Sequence, residues 1–103
     1  MPGFVTVAQT SEIPPGTMKE VDLDGESVVV VNVAGQYYAI EGVCTHQGGP
    51  LGEGQLKDCV VTCPWHSAAF DVRSGDAVHL PATDALAPYR VRVSGTEIQI
   101  AAT

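Results

Sequence analysis

GVCTHQGGPLGEGQLKDCVVTCPWHSAAF, residues 42–70, decides how the rest of the chain is read. It holds two short motifs, Cys44-Thr45-His46 and Cys63-Pro64-Trp65-His66, with 16 residues between His46 and Cys63 (63 − 46 − 1). Each motif supplies one thiol and one imidazole within a run of Gly and Pro, a backbone able to curl round a metal and turn both side chains inward. Taken singly, a Cys is more often plain core and a His more often surface. Two mixed Cys/His pairs, flanked by Gly48-Gly49-Pro50 and Pro64, together point to one four-ligand metal site.

Outward from this stretch, the strand signals are short and close together: Phe4 to Ala8, Met18 to Leu23, Val28 to Val33, Tyr37 to Glu41, Val60 to Cys63, Ala77 to Leu80, Tyr89 to Val93 and Glu97 to Ile100. Asp24-Gly25, Ala34-Gly35, Ser74-Gly75 and Ser94-Gly95 fall between such runs, where hairpins need a residue that tolerates positive φ. No long stretch keeps helical apolar spacing without a Gly or Pro, so only a short turn near Ser11 to Gly16 is expected. The reading is an antiparallel all-β domain. The turn-rich segment from Gly42 to Lys57, with five glycines, reads as a long functional loop.

The chain's 103 residues allow one domain, with no repeat, low-complexity tract or linker to divide it. Acidic residues outnumber basic ones 12 to 5, a net charge of −7 that repels nucleic-acid phosphates and anionic lipid head groups. The acids Asp22, Asp24, Glu26, Glu53, Asp58, Asp71, Asp76 and Asp84 are open to two readings, a solvated face or a docking face. Residues 1–16 lack a basic segment followed by an apolar one, and no 18-residue apolar run occurs, so neither export nor a membrane span is expected. Three cysteines are an odd number, clustered near His and Gly, which suits metal ligation in a reducing cytoplasm better than a disulfide framework.

The two motifs and their spacing resemble the Rieske iron-sulfur pattern, C-x-H followed after 15 to 17 residues by C-x-x-H. The resemblance continues through Gly54-x-Leu56, Phe70-Asp71 and the proline-bearing Leu80-Pro81-Ala82. It implies a Rieske fold, an antiparallel sandwich or barrel spanning residues 1–103 with a small cluster-binding subdomain at about 42–82. It implies one 2Fe-2S cluster, with Cys44 and Cys63 on one iron and His46 and His66 on the other. Backbone N–H groups around Gly48 to Leu51 would face the sulfurs, and Trp65 and Pro81 would shield the site, although Trp65 is equally open to being ordinary core. Two thiolates and two neutral imidazoles cancel the charge of the oxidised core, and such sites span roughly −150 to +300 mV.

Within that range the sequence resembles low-potential members. Gly49 and Trp65 stand where high-potential relatives carry a loop-tying disulfide, and Ala68 and Phe70 where those relatives place hydroxyl donors to the cluster. Only His79 is left after the four ligands, too little for the two-His-one-carboxylate iron of an oxygenase. The resemblance therefore implies not an enzyme but a soluble electron-carrying ferredoxin. Its partners would be a flavin-containing NAD(P)H-dependent reductase and a terminal oxygenase. The alternatives are the Rieske small subunit of a nitrite-reductase-like complex and a structural zinc site, although zinc fingers use C-x-x-C and H-x-x-x-H rather than mixed pairs. Cys59 is expected to be a buried apolar cysteine and His79 a surface residue beside a hairpin.

Overall fold

Strand side chains alternate between two faces, so a strand with one wet face shows every second residue exposed. Val28, Val29, Val30 and Val31 are all fully buried, and the strand that carries them must be covered on both sides. In the computed structural model this strand belongs to a large sheet and has that sheet's barrel interior on one face and a smaller sheet on the other. The structure describes residues 3–23, 25–42, 54–63, 69–79 and 88–101.

Among the described residues, ten strands run β1 Val5–Gln9, β2 Met18–Leu23, β3 Glu26–Val33, β4 Gln36–Glu41, β5 Gln55–Lys57, β6 Val60–Thr62, β7 Ala69–Asp71, β8 Ala77–His79, β9 Pro88–Ser94 and β10 Glu97–Ala101. Six form an antiparallel sheet in the order β1-β10-β9-β4-β3-β2, and its ends, β1 and β2, lie against each other so that it nearly closes into a barrel. Closure hides the edge strands from other chains. The other four form a smaller antiparallel sheet, β5-β6-β7-β8. The all-β expectation holds.

Each face of β3 has its own core. Val28 and Val30 join Ala8, Ile13, Leu23, Ala39, Ile98 and Ile100 inside the barrel. Val29 and Val31 join Ile40, Val61, Cys63, Phe70 and Val72 beneath the small sheet. Full burial of a valine contributes roughly 1.5–3 kcal/mol, so these four residues of β3 tie the two sheets together.

The expected turns stand where the glycines are: Gly25, Gly35, Gly75 and Gly95 have φ of 86°, 94°, 84° and 62°. Two strands went unread. β5 occupies the end of the expected long loop, and β7 follows the second motif; each is three residues long, too short for alternation to register, and each exists because a neighbour supplies its ladder. The turn expected near Ser11 to Gly16 is a 3-10 turn over Thr10–Glu12 followed by a link that buried Asn32 latches. Asn32 Nδ2 donates to Ile13 O at 2.8 Å, its Oδ1 accepts from Gly35 N at 2.8 Å, and its N–H donates to Thr17 O at 3.0 Å. Replacing it strands buried partners, so Asn32→Ala should cost about 1–3 kcal/mol, read as a lower urea midpoint with an unchanged slope.

Candidate metal centre

The small sheet is aligned in a way its sequence does not advertise. Gln55 pairs with Thr62, Thr62 with Ala69, and Ala69 with His79, so these four residues stand in one row across one end of the sheet. Every stretch of chain bearing a motif joins the sheet at that row. Residues 43–53, with the first motif, lead through Gly54 into Gln55; residues 64–68, with most of the second, join Cys63 to Ala69; and residues 80–87, with Leu80-Pro81-Ala82, follow His79. At the barrel the two connecting stretches also attach side by side, because Gly42 follows Glu41 of β4 while Pro88 of β9 pairs with Ile40 of β4.

Cys63 sits directly beyond this row, buried at 2% exposure. It lies in the core between the sheets with Val61, Phe70, Val72 and Ile40. The neighbours it shares in that core are apolar, and a thiolate beside them is stabilised by a cation, which a metal supplies. The donor set of two thiols and two imidazoles fits a 2Fe-2S group of the mixed Cys/His type. Among the described residues, no group of three or more His, Cys, Asp and Glu is otherwise placed to hold a metal.

Cys44, His46 and His66 lie outside the described residues, as do Gly48 to Leu51, Trp65, Ala68 and Leu80-Pro81-Ala82. Phe70, opposite Val61, is fully buried in the same core as Cys63, so its ring packs beside that thiol's core neighbours. His79 ends β8, in the expected strand of the β7–β8 hairpin, held by backbone pairing to Ala69. Cys59 differs from expectation by being half-buried: it lies in the β5–β6 turn, next to Asp58 at φ 54°, and packs on the rim of the core, its carbonyl accepting from Val72 N at 2.8 Å.

Several of the chain's acids also serve the fold locally. Asp22 Oδ1 accepts from Gly25 N at 2.8 Å, and Glu26 Oε2 accepts from the Tyr89 hydroxyl at 3.0 Å. Burial, and then Glu26, pushes Tyr89 up to about 12. Asp71 takes both Nη2 (2.8 Å) and Nε (3.1 Å) of Arg73, which holds its carboxyl below the usual range. The stability this lends the β7–β8 turn is present above the ordinary carboxylate pKa and fades as pH falls through the depressed one.

Residues 3–90 match the Rieske [2Fe-2S] domain family. The chain belongs to that family, and its cofactor is one 2Fe-2S cluster. It is 38% identical over 91 residues to the 3-phenylpropionate/cinnamic acid dioxygenase ferredoxin subunit of Shigella boydii, covering 87% of this chain and 85% of that one. It is also 34% identical over 98 residues to mouse apoptosis-inducing factor 3, where it spans only 16% of the relative's length. Among solved structures, the ferredoxin of carbazole 1,9a-dioxygenase from Nocardioides aromaticivorans superposes with a TM-score of 0.93 at 35% identity, over 97% of this chain and 98% of that one. A complex of reduced oxygenase and oxidised ferredoxin in carbazole 1,9a-dioxygenase contains a chain that matches at 0.91 and 35%, over 95% and 92%.

Placement on the rim and in the centre separates the two described cysteines. Cys59→Ala should keep full iron content and a near-normal visible spectrum, whereas Cys63→Ala should lose the cluster and with it much of the fold. Iron analysis of the two purified variants checks this; iron lost from Cys59→Ala would contradict the assignment.

Proposed function

We propose that Cys44, His46, Cys63 and His66 hold the cluster and that the chain is the ferredoxin of a dioxygenase system. In this reading it takes single electrons from a flavin-containing, NAD(P)H-dependent reductase and passes them to a terminal oxygenase in the cytoplasm. The observation that carries the ligand assignment is the row Gln55, Thr62, Ala69 and His79, from which all three motif-bearing stretches depart beside buried Cys63. What supports the carrier role is that the likeness to dioxygenase ferredoxins runs almost end to end in both chains.

The whole chain is one domain in this reading, with residues of about 42–82 as the cluster-binding part and the small sheet as its floor. When bound, the cluster supplies a reversible one-electron couple. The protein does the rest by holding and shielding. Val61, Phe70 and Val72 keep water from the buried side of Cys63, and the barrel gives the sheet a rigid base. Among the described residues no helix is long and apolar enough to cross a membrane.

Protein purified without oxygen should carry two irons and two acid-labile sulfides per chain, and the reduced form should give a rhombic resonance with an average g below the free-electron value. Nitrogen hyperfine coupling should reveal the two imidazoles. Colourless protein with stoichiometric zinc would overturn the reading and favour the zinc alternative.

Phe70 offers a test of how the site sets its potential. Phe70→Tyr places a hydroxyl in the core that holds Cys63, and a hydrogen bond to a charged sulfur grows as the cluster gains negative charge. The midpoint should rise by on the order of tens of millivolts, read by protein-film voltammetry. Transfer onward to an oxygenase should slow, because the downhill drive of that step shrinks.

A further inference from the structure

Gly16, Gly25, Gly35 and Gly95 have positive φ and open space around them, so they are glycines for the sake of the turn. Gly42 is of the other kind. Its backbone needs no special φ, but a side chain has no room: a Cβ there would overlap Ser27 Oγ and lie 3.1 Å from the Ser27 carbonyl carbon and 3.2 Å from its Cβ. Gly42 N–H donates to Ser27 O at 2.9 Å, extending the β3–β4 ladder past its last pair, Val28 with Glu41. For Ser27 to turn aside, its hydroxyl would have to give up its hydrogen bond to the Glu20 carboxylate.

The place of this contact gives it meaning. By strand alternation, Ser27 shares a face with Val29 and Val31, and Gly42 continues the face of Ile40; this is the side of the barrel on which the small sheet packs. Gly42 is also the last described residue before the first motif, two positions ahead of Cys44.

We propose that Gly42, seated on Ser27, is a positioning residue for the Cys44 and His46 ligand pair: its missing side chain lets the chain leave β4 in backbone contact with β3 and so sets the direction in which the ligand segment departs. This rests on the ligand assignment made above. A methyl group at residue 42 must lift the segment away from β3 or break the hydrogen bond between Ser27 and Glu20, and a displacement so close to Cys44 is passed on to the thiolate. Ser27→Ala removes the overlapping oxygen and leaves only the 3.1 and 3.2 Å approaches, which a shift of a few tenths of an ångström relieves.

The test compares Gly42→Ala, Ser27→Ala, the double variant and Cys44→Ala in the intact protein, purified without oxygen, by iron content, the g values of the reduced state, midpoint potential and far-ultraviolet circular dichroism. Gly42→Ala should retain the β-sheet spectrum, lose iron by about threefold and show altered g values in what remains. Ser27→Ala should match the parent, and the double variant should regain most of the lost iron and the parent g values. A Gly42→Ala protein equal to the parent in iron, g values and potential overturns the inference. So does a defect that persists in the double variant, or a Ser27→Ala as impaired as Gly42→Ala. Cys44→Ala keeps the two questions apart: if it retains the cluster the ligand assignment fails, whereas if it loses the cluster while Gly42→Ala is unaffected, only the role of Gly42 fails.

Discussion

The structure depends on a strand that has no wet face. β3 presents Val28 and Val30 to the barrel interior and Val29 and Val31 to the small sheet, all fully buried. A core shared in this way cannot be divided: removing the small sheet would expose two valines and Ile40, and opening the barrel would expose the other two. Strands of three residues have little stability of their own in water, so β5 to β8 owe their order to this packing. The mount of the metal centre and the barrel are therefore parts of one hydrophobic unit, although they are separate sheets.

From this follows where the motif-bearing stretches join the small sheet. The pairing register of the small sheet brings Gln55, Thr62, Ala69 and His79 into line, and the three connecting stretches share that end as a consequence. A shift of β6 by one residue against β7 would turn Cys63 away from the core it shares with Phe70 and Val61. The register is held by that burial, since the apolar residues of β6 and β7 satisfy the inner face only in one alignment. The turns sustain it as well: Asp71 binds Arg73 with both carboxylate oxygens, and its carbonyl accepts from Gly75 N at 2.7 Å.

How much of this was legible in the sequence differs by element. The long strands and their turns were readable because alternation and the Gly-bearing dipeptides act over a few neighbouring residues, and Gly25, Gly35, Gly75 and Gly95 indeed take positive φ. The family and its cofactor were readable from the two motifs, since mixed Cys/His pairs at that spacing have few other uses. β5 and β7 were not, because Gln55–Lys57 and Ala69–Asp71 are too short to show a period and are defined by partners distant in sequence. Cys59 was expected to be buried, but it lies in the turn between β5 and β6, which is why it is half-buried rather than enclosed. Gly42 read as one of the five glycines of a long functional loop; that a side chain there would meet Ser27 depends on a contact across strands that no local pattern encodes.

Charge completes the account of how such a protein meets others. Of its five basic residues, four are engaged within the fold: Lys19 pairs with Glu12 at 3.0 Å, Arg73 with Asp71 at 2.8 Å, and Arg90 and Arg92 lie over the Phe4 ring at 5.8 and 4.2 Å from its centroid. An ion pair leaves no net charge, so the acids in excess determine the field at a distance. Part of that excess is tied into local structure through Asp22 and Glu26, yet a carboxylate that accepts a neutral hydrogen bond keeps its full negative charge. The long-range field is thus that of an anion whatever the local duties of individual acids. A field of that kind speeds the approach of basic surfaces and is screened by salt over roughly 10 Å at 0.1 M, raising encounter rates more than it tightens binding. Fast arrival with modest affinity is the combination a protein needs if it must leave each partner with one electron gained or lost.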